Sequence, residues 1–480
     1  MEPVRFCVVA TLSLALATPS LAESPTRTRL LAWPNPSTSG QRVALQAEVD
    51  GLGAGAPAGV VNFTDGARAL GSARLSPFPA GRGVIALGVD HSCALTSAGG
   101  VQCWGSNDVG QLGDGTSTSR PTPVAVSGLS SGVVAVSAGG GQTCALTAGG
   151  AVKCWGLNDS GQVGDGTTTN RLTPVGVSGL SSGVVAISAG GNHSCALTAG
   201  GALKCWGYNF YGELGDGTDT NRLTPVPVSG LTTGVVAVAA GGFHTCARTA
   251  TNSVKCWGYN DFGALGDGTT TSRLAPVSVS SLSNGVVEVA AAIDHTCART
   301  DAGAVKCWGS NANGRLGDGT TMDRLVPVAV SGLPSTVVAI TAGPFGHSCA
   351  LTANGAVRCW GSNANGEIGD GTTTDRPTPV LVSGLSKGVA AIAAGGFHSC
   401  ATAISGAARC WGWNGGGQLG DGTTTDRSVP ATVSSFAALV RARARLYTRS
   451  LGVGSHTLRA SYPGDAFHSS SSGSRVQTVQ

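Results

Sequence analysis

The cysteines carry the most regular chemistry in this sequence. Fourteen of the fifteen fall into seven pairs, and the two members of every pair stand ten residues apart. Such spacing predicts a disulfide within each pair. A zinc site is the alternative, but structural zinc needs four close ligands, and the second pair has Gln142 where the others have a histidine. The pairs are Cys93 with Cys103, Cys144 with Cys154, Cys195 with Cys205, Cys246 with Cys256, Cys297 with Cys307, Cys349 with Cys359, and Cys400 with Cys410.

A histidine and an aspartate recur with the cysteines. We interpret the histidines as buried hydrogen-bond donors that brace the fold. The aspartate of each Gly-Asp-Gly-Thr segment suits a turn, whereas an EF-hand-type calcium loop would need several more oxygen ligands. We therefore expect no metal and no cofactor. The residues are His91, His193, His244, His295, His347 and His398, and Asp114, Asp165, Asp216, Asp267, Asp318, Asp370 and Asp421.

An arginine follows each of these aspartates by six residues. Repetition would array the seven arginines in a ring, and a ring of like charge could attract an anion. The nearby aspartates leave little net charge, so a hydrogen bond that braces the loop is the favoured interpretation. The arginines are Arg120, Arg171, Arg222, Arg273, Arg324, Arg376 and Arg427.

These residues recur because the chain is built from repeats. The tryptophan of a Cys-Trp-Gly triplet occurs seven times, at intervals of 51 residues with a single interval of 52. A fixed period near fifty indicates one supersecondary unit repeated. Each tryptophan is a large ring that can pack between neighbouring units. The positions are Trp104, Trp155, Trp206, Trp257, Trp308, Trp360 and Trp411.

The spacing within a repeat predicts a β-hairpin. In the second repeat, residues 148–150 read Ala-Gly-Gly and separate the segments 143–147 and 151–155. A three-residue loop with glycine at its left-handed position fits this pattern. It would place Cys144 directly opposite Cys154 on antiparallel strands, within reach of a disulfide.

Two more short strands complete the unit, at residues 133–136 and 174–177. Four antiparallel strands in each of seven units predict an all-β fold with a seven-bladed β-propeller over residues 83–433. A solenoid would need atypical repeats at its ends, and the first and seventh repeats are ordinary.

The composition agrees with many short strands and excludes some functions. Charged residues make up 12% of the chain, and 75 of its 480 residues are glycine. Low charge with abundant glycine favours strands and tight turns over helices. The net charge of +4 is small for this length, so nothing in it points to nucleic acid.

The N-terminus predicts export. Arg5 precedes an apolar run, residues 6–17, and Ser-Leu-Ala closes the segment at residues 20–22. We interpret residues 1–22 as a secretory signal peptide, because the apolar run is too short to span a bilayer. No later stretch is long enough to span one. The mature protein is expected to be secreted or held at the cell surface.

The repeat pattern H-x-C-A-L-T…G-x-V-K-C-W-G-x-N…G-Q-L-G-D-G-T resembles the regulator of chromosome condensation repeat family. The resemblance covers about residues 83–433 and implies a seven-bladed propeller. The cysteine pairs resemble the form found in exported bacterial proteins. The eukaryotic namesake is a nuclear guanine-nucleotide exchange factor, and another relative is a secreted bacterial inhibitor of β-lactamases. The shared residues are scaffold positions, so the exchange activity does not transfer with the fold, whereas the inhibitor implies that the fold can serve as a protein-binding disc.

The flanks, residues 28–78 and 436–480, do not repeat. Each shows alternating apolar residues typical of strands, and each is too short for a sandwich of its own. Joined, they resemble one bacterial immunoglobulin-like domain. We therefore expect a smaller, discontinuous β-sandwich with the propeller inserted in one of its loops, which is physically easy because a propeller's termini lie close together. Two disordered tails are the alternative.

No catalytic constellation is visible in the sequence. The aspartates and histidines belong to the repeated scaffold, and no nucleophile has a unique neighbourhood. We expect a monomeric, non-enzymatic binding or adhesion protein with an extracellular protein or glycan partner. An exchange-factor-like regulator and a secreted enzyme inhibitor are the alternatives that the resemblance suggests.

The loop after Cys-Trp-Gly predicts where binding occurs. Positions that are alike in all repeats serve the scaffold, whereas this loop varies. Three of the five tyrosines lie in it on adjacent repeats, and exposed aromatic clusters are typical anchors of interfaces. The rings could instead pack under the next loop or against the sandwich. The predicted binding residues are Tyr208, Phe210, Tyr211, Tyr259, Phe262 and Trp413.

Overall fold

The computed structural model describes residues 26–33, 37–41, 43–51, 59–77, 84–437, 440–464 and 470–479. The predicted signal peptide, residues 1–22, lies outside these described residues. Within them the fold is all-β, with nine four-stranded sheets and a short 3-10 turn at Ala312–Gly314. None of the described segments forms a helix long and apolar enough to cross a bilayer.

Five strands precede the repeats: β1 Thr26–Trp33, β2 Val43–Gly51, β3 Val60–Asp65, β4 Arg68–Arg74 and β5 Ser76–Pro77. Each repeat then forms one sheet of four consecutive strands, which we call a blade. Blades 1 to 3 comprise β6 Ile85–Leu87, β7 His91–Leu95, β8 Val101–Gly105 and β9 Arg120–Ala125; β10 Val133–Ala138, β11 Gln142–Thr147, β12 Val152–Gly156 and β13 Arg171–Gly176; β14 Val184–Ala189, β15 His193–Thr198, β16 Leu203–Gly207 and β17 Arg222–Pro227.

Blades 4 to 7 comprise β18 Val235–Ala240, β19 His244–Thr249, β20 Val254–Gly258 and β21 Arg273–Ser278; β22 Val286–Ala291, β23 His295–Thr300, β24 Val305–Gly309 and β25 Arg324–Ala329; β26 Val337–Ala342, β27 His347–Thr352, β28 Val357–Gly361 and β29 Arg376–Leu381; β30 Val389–Ala394, β31 His398–Ala403, β32 Ala407–Gly412 and β33 Arg427–Ala437. Three strands follow the repeats: β34 Val440–Thr448, β35 Gly454–Tyr462 and β36 Ser471–Val479.

The hairpin at the centre of each blade forms as its sequence predicts. In blade 2, β11 and β12 are antiparallel with Cys144 opposite Cys154, and their Cα atoms are 4.1 Å apart across a disulfide. Gly150 ends the loop with a φ of +80°, the left-handed conformation that favours glycine.

The other six blades repeat this pairing, so all seven predicted disulfides are confirmed. Because every one of these sulfurs is bonded to another sulfur, the thiols are not free to bind zinc. The six further disulfides join Cys93 to Cys103, Cys195 to Cys205, Cys246 to Cys256, Cys297 to Cys307, Cys349 to Cys359, and Cys400 to Cys410.

The blades form a closed, propeller-like ring. The first strand of each blade lies against the first strands of its two neighbours, and β30 of blade 7 contacts β6 of blade 1. Tryptophans fill the junctions: Trp155 of blade 2 is fully buried against Leu112 and Val126 of blade 1. Its indole N–H donates to the carbonyl of Gln111 at 2.9 Å, so each blade is fixed to the one before it by packing and by a buried hydrogen bond.

The antiparallel order decides which residues share a face of the ring. The connection between the first and second strands of a blade emerges on the same side as the connection between its third and fourth strands. We call this side the loop face. It carries the variable segments after Cys-Trp-Gly and the short segments that precede each histidine.

Two further sheets combine both ends of the chain. Their strand orders are β1-β2-β34-β5 and β36-β35-β3-β4. The two sheets share one hydrophobic core that includes Leu45, Phe63, Leu458 and Tyr462. Strands that precede the ring and strands that follow it therefore form a single unit, to which each side of the chain contributes part of both sheets.

The ring connects to this body through neighbouring strands. β5 precedes blade 1 in the sequence, β34 follows blade 7, and the two pair with Pro77 opposite Ala442. The last blade strand, β33, runs to Ala437, beyond the limit of 433 expected from the repeats. Its Phe436 packs on Trp104 of blade 1 with ring centroids 5.5 Å apart, which helps to join the end of the ring to its beginning.

Candidate functional site

The six repeated histidines join neighbouring blades. Each is buried, and its Nε2 lies 2.7–2.9 Å from a serine or threonine hydroxyl of the next blade. For His193 the partner is Thr245, whose hydroxyl donates to the carbonyl of Glu213 at 2.8 Å. A hydroxyl has one proton, so Nε2 of His193 must be the donor in this pair. Burial is the main reason that the pKa of His193 is lowered to about 3, and the charge of nearby His244 lowers it further. The ring is therefore neutral at neutral pH.

The repeated aspartates and arginines neutralise one another. Asp114 accepts hydrogen bonds from the Thr116 backbone at 2.9 Å, from Asn107 at 3.2 Å and from Arg120 at 3.0 Å. Burial alone would raise the pKa of Asp114, but the hydrogen bonds from Thr116 and Arg120 hold it below its usual range. Every blade has this ion pair, at 2.6–3.0 Å. The carboxylates are occupied by donors and the arginines by the carboxylates, which favours the turn and loop-bracing interpretations of these residues.

The axis of the ring offers little chemistry. A cavity of about 110 Å³ lies there, lined mainly by glycine and alanine together with a few larger apolar residues such as Leu87 and Ile293. Backbone carbonyls at this position accept hydrogen bonds from the neighbouring blade, as when Gly140 donates to Gly190 at 3.0 Å. Among the described residues that line the cavity, no side chain can act as an acid, a base or a nucleophile.

The loop face of blades 3 and 4 instead carries six aromatic rings in mutual contact, which we call the aromatic cluster. Tyr211 and Tyr259 are central, with ring centroids 4.9 Å apart. Phe210 meets Tyr211 edge-on at 5.0 Å, and Phe262 meets Tyr259 at 6.3 Å. Distances of 4.5–7 Å are those at which aromatic pairs stabilise one another. The members are Tyr208, Phe210, Tyr211, Phe243, Tyr259 and Phe262.

The aromatic cluster is open to solvent at its edges. Phe210 is 64% exposed and Phe262 is 40% exposed, whereas the three tyrosines are half-buried. Five of the six predicted binding residues thus lie side by side on one face. Phe243 was missed, because it lies in the loop before His244 and not in the loop after Cys-Trp-Gly.

A buried carboxyl lies beside the aromatic cluster. Glu213 is fully buried, its Oε2 accepts the Tyr211 backbone N–H at 3.0 Å, and its Oε1 has no hydrogen-bond partner. In blade 6 the corresponding Glu367 has both oxygens bonded by Asn365, at 2.8 and 2.9 Å. Burial raises the pKa of Glu213 to about 7, against the opposing hydrogen bonds from backbone N–H groups. This carboxyl therefore titrates near neutrality.

Acidic groups also affect the tyrosines. Burial raises the pKa of Tyr259 to about 12, helped by the charge of Asp261, a hydrogen bond to Asp261 and the charge of Asp294. Burial first and then Glu213 raise the pKa of Tyr208. The hydroxyls of Tyr208 and Tyr259 therefore stay protonated, and acidic side chains lie near both rings.

Trp413, which occupies the corresponding position in the seventh repeat, lies apart from the aromatic cluster. It lies on blade 7, where it meets Phe397 edge-on at 6.2 Å, and Phe397 stacks on Phe345 at 4.4 Å. Phe345 and Phe397 both lie in loops before a histidine, as Phe243 does in blade 4; Phe397 directly precedes His398, and Phe345 precedes His347 by two residues. A repeat-by-repeat comparison of that loop would have found all three.

Comparison with known proteins agrees with this architecture. The profile of the RCC1-like domain matches residues 101–458, and that of the regulator of chromosome condensation (RCC1) repeat matches residues 85–111. The ultraviolet-B receptor UVR8 of Arabidopsis thaliana is 32% identical over 359 residues, which cover 74% of this chain and 82% of UVR8.

Two further similarities differ in how much of the other protein they cover. Human E3 ubiquitin-protein ligase HERC2 is 34% identical over 322 residues, which cover 65% of this chain but 7% of HERC2. The structure of yeast RCC1 (Prp20) bound to Kap60 superposes with a TM-score of 0.61 and 22% identity, covering 76% of this chain and 90% of that one. The second similarity shows a shared fold.

Proposed function

This chain belongs to the RCC1-like domain family, and we propose that it is an exported, non-enzymatic binding protein whose seven-bladed propeller holds a protein partner on its loop face. The aromatic cluster of blades 3 and 4 is the contact surface in this proposal. Phe210 and Phe262 lead the contact, and the half-buried tyrosines support them.

One observation carries the proposal: large rings stand exposed at positions that the scaffold does not need. The corresponding loop of blade 1 has Ser106 and Asp108, and that of blade 5 has Ser310 and Ala312, yet both blades keep the same fold. Aromatic side chains are enriched at interfaces, and tyrosine is among the residues enriched where binding energy is concentrated. The related UVR8 is a receptor, which agrees with a recognition role for such a ring.

Export is supported by the disulfides. Seven bonds within one chain are consistent with an extracellular protein, because thiols stay reduced in most cytosols. In this proposal residues 1–22 are removed on export, and the bacterial, disulfide-bearing type of repeat is the form present here. N-terminal sequencing of the protein recovered from culture medium should start at Glu23, and retention of residues 1–22 inside the cell would contradict export.

The two sheets made from both chain ends support the remaining part of the proposal. We assign them to one split, immunoglobulin-like sandwich formed by residues 28–78 and 436–480, with the propeller as an insertion.

Affinity capture tests the function. The wild-type protein and a variant with Tyr208→Ser, Tyr211→Ser and Phe262→Ser serve as baits for extracellular proteins, with a glycan array probed in parallel. We expect the wild type to retain a partner protein that the triple variant loses. Equal capture by both baits would show that the aromatic cluster is not the binding site. Binding to glycans alone would show that the partner is a glycan and not a protein.

A further inference from the structure

We infer that the aromatic cluster receives a basic side chain, lysine or arginine, of the partner protein, held over the rings of Tyr211 and Tyr259 and beside the Glu213 carboxyl. The inference rests on the proposed function and names the chemistry of the partner group that this surface would bind.

The rings supply the first part of a cation site. Tyr211 and Tyr259 come from adjacent blades and lie 4.9 Å apart at a tilt of 59°. Phe243 stands edge-on to both, at 6.0 and 6.2 Å. Faces of aromatic rings carry negative potential, and an ammonium or guanidinium group within about 6 Å of them is stabilised.

Glu213 supplies the second part. Its Oε1 is buried without a hydrogen-bond partner, and an unsatisfied buried oxygen is costly unless a donor reaches it. The equivalent Glu367 has that donor within its own blade, from the Asn365 side chain. Blade 3 has Tyr211 at the position of Asn365, so the donor is missing and a ring of the aromatic cluster stands in its place. A donor brought by a partner would fill this gap.

The charge of the surrounding loops is the third part. Residues 190–193, 207–222, 241–244 and 258–273 form the loop face of blades 3 and 4, and they contain five carboxylates and two arginines. Both arginines are used by scaffold ion pairs, with Asp216 and Asp267. Glu213, Asp219 and Asp261 remain without a cation in these described loops. Opposite charge on a partner is therefore favoured in both approach and binding.

A purely apolar or an acidic partner fits less well. Covering Glu213 with an apolar group would leave its oxygen unpaired, and an acidic group would add repulsion. A lysine or arginine satisfies both features, because its alkyl stem packs on rings while its charged head donates to a carboxylate.

Synthetic peptides can test this chemistry without the natural partner. A fluorescent peptide with the sequence Gly-Ser-Lys repeated four times is titrated with the full-length protein at low ionic strength, by anisotropy. The matched probe is the same peptide with every lysine acetylated, which keeps the shape and removes the charge. We expect the acetylated peptide to bind about tenfold more weakly or worse.

Single substitutions then locate the site. Glu213→Gln should weaken the lysine peptide about five- to tenfold, because it removes the charge and keeps the hydrogen bond. Blade 2 shows that glutamine fits, since Gln162 accepts the Ser160 N–H at 2.9 Å. Two controls should bind like the wild type: Trp413→Leu, an aromatic of the same loop on blade 7, and Asp108→Asn, an exposed carboxylate of the same face on blade 1.

Three outcomes would overturn the inference. They are equal binding of the two peptides, no binding of the lysine peptide up to about 1 mM, and an equal effect of Asp108→Asn and Glu213→Gln. If the triple serine variant fails to capture the partner in those cases, the proposed function stands and only the inference of a basic partner group is wrong. If that variant captures the partner as well as the wild type does, the proposed function is wrong.

Discussion

Nε2 of His398 lies 2.9 Å from Oγ of Ser92, a hydrogen bond that joins the last blade to the first. The Ser92 hydroxyl donates to the carbonyl of Gln418 at 2.8 Å, and the Trp104 indole N–H donates to the same oxygen at 2.9 Å. No strand of blade 1 or blade 7 is exchanged between them. Closure of the ring therefore depends on these buried side-chain contacts, on the packing around them, and on backbone hydrogen bonds from Gly396 to Gly88 at 3.1 Å and from Gly422 to Pro121 at 2.9 Å.

Replacement of His398 by alanine should therefore loosen the closure. The variant loses a buried donor and leaves a small void, which together cost about 2–4 kcal/mol. His398→Gln should lose much less, because Gln142 occupies this position in blade 2 and donates to the Gly190 carbonyl at 3.0 Å. Thermal unfolding of both variants measures the difference, and an alanine variant as stable as the wild type would contradict this role.

The histidines also predict acid lability. Burial lowers the pKa of His91 and His244 to about 4 and of His398 to about 3, whereas an unfolded histidine titrates near 6.5. Below about pH 6.5 the unfolded chain binds protons that the native ring excludes, so stability falls as the pH drops toward 4. Each such histidine contributes a slope of up to about 1.4 kcal/mol per pH unit. Melting temperatures that stay level from pH 7 to 4.5 would refute this.

Titration of Glu213 should change the stability with pH in the opposite direction near neutrality. Its pKa is raised to about 7 in the fold, so the native state holds a proton that the unfolded state releases above about pH 4.5. Its contribution to stability therefore falls as the pH rises from about 4.5 to 7, by up to about 3 kcal/mol. Glu213→Gln should remove that dependence and be more stable than the wild type at pH 8. A variant less stable at pH 8 would show that the carboxylate is needed by the scaffold.

The flanking sheets predict an independent domain. Asn62 lies opposite Ser461 and Val43 opposite Thr448, so each half completes the sheets of the other. Deletion of residues 83–433, with a short linker in their place, should leave a folded β domain that resists proteolysis. An unfolded product by circular dichroism would show that the flanks need the ring.

Much of the fold could be predicted because the repeats fix local geometry seven times over. The ten-residue spacing of Cys144 and Cys154 agrees with one hairpin loop, and the structure has that loop. The hydrogen-bond partner of each histidine was harder to predict from the sequence, because it lies in the next blade. The signal was nevertheless present, since a serine or threonine follows the histidine position in all seven repeats, as Ser92 and Thr143 do.

The candidate site was predicted in part for a similar reason. Variation after Cys-Trp-Gly identified Tyr211 and Tyr259, but a linear comparison of one loop does not show that a second loop reaches the same face. Phe243 joins the aromatic cluster through that second loop. Trp413 lies apart from it because blade 7 is three blades from blade 4 in one direction around the ring and three blades from blade 3 in the other.

The most direct measurement of the central claim is the affinity of the captured partner for matched variants of equal stability. We expect the triple variant Tyr208→Ser, Tyr211→Ser and Phe262→Ser to melt within a few degrees of the wild type and to bind at least about a hundredfold more weakly. Trp413→Ser should bind like the wild type. Unchanged affinity of the triple variant, or a collapse of its melting temperature, would contradict the claim that these rings are a recognition surface.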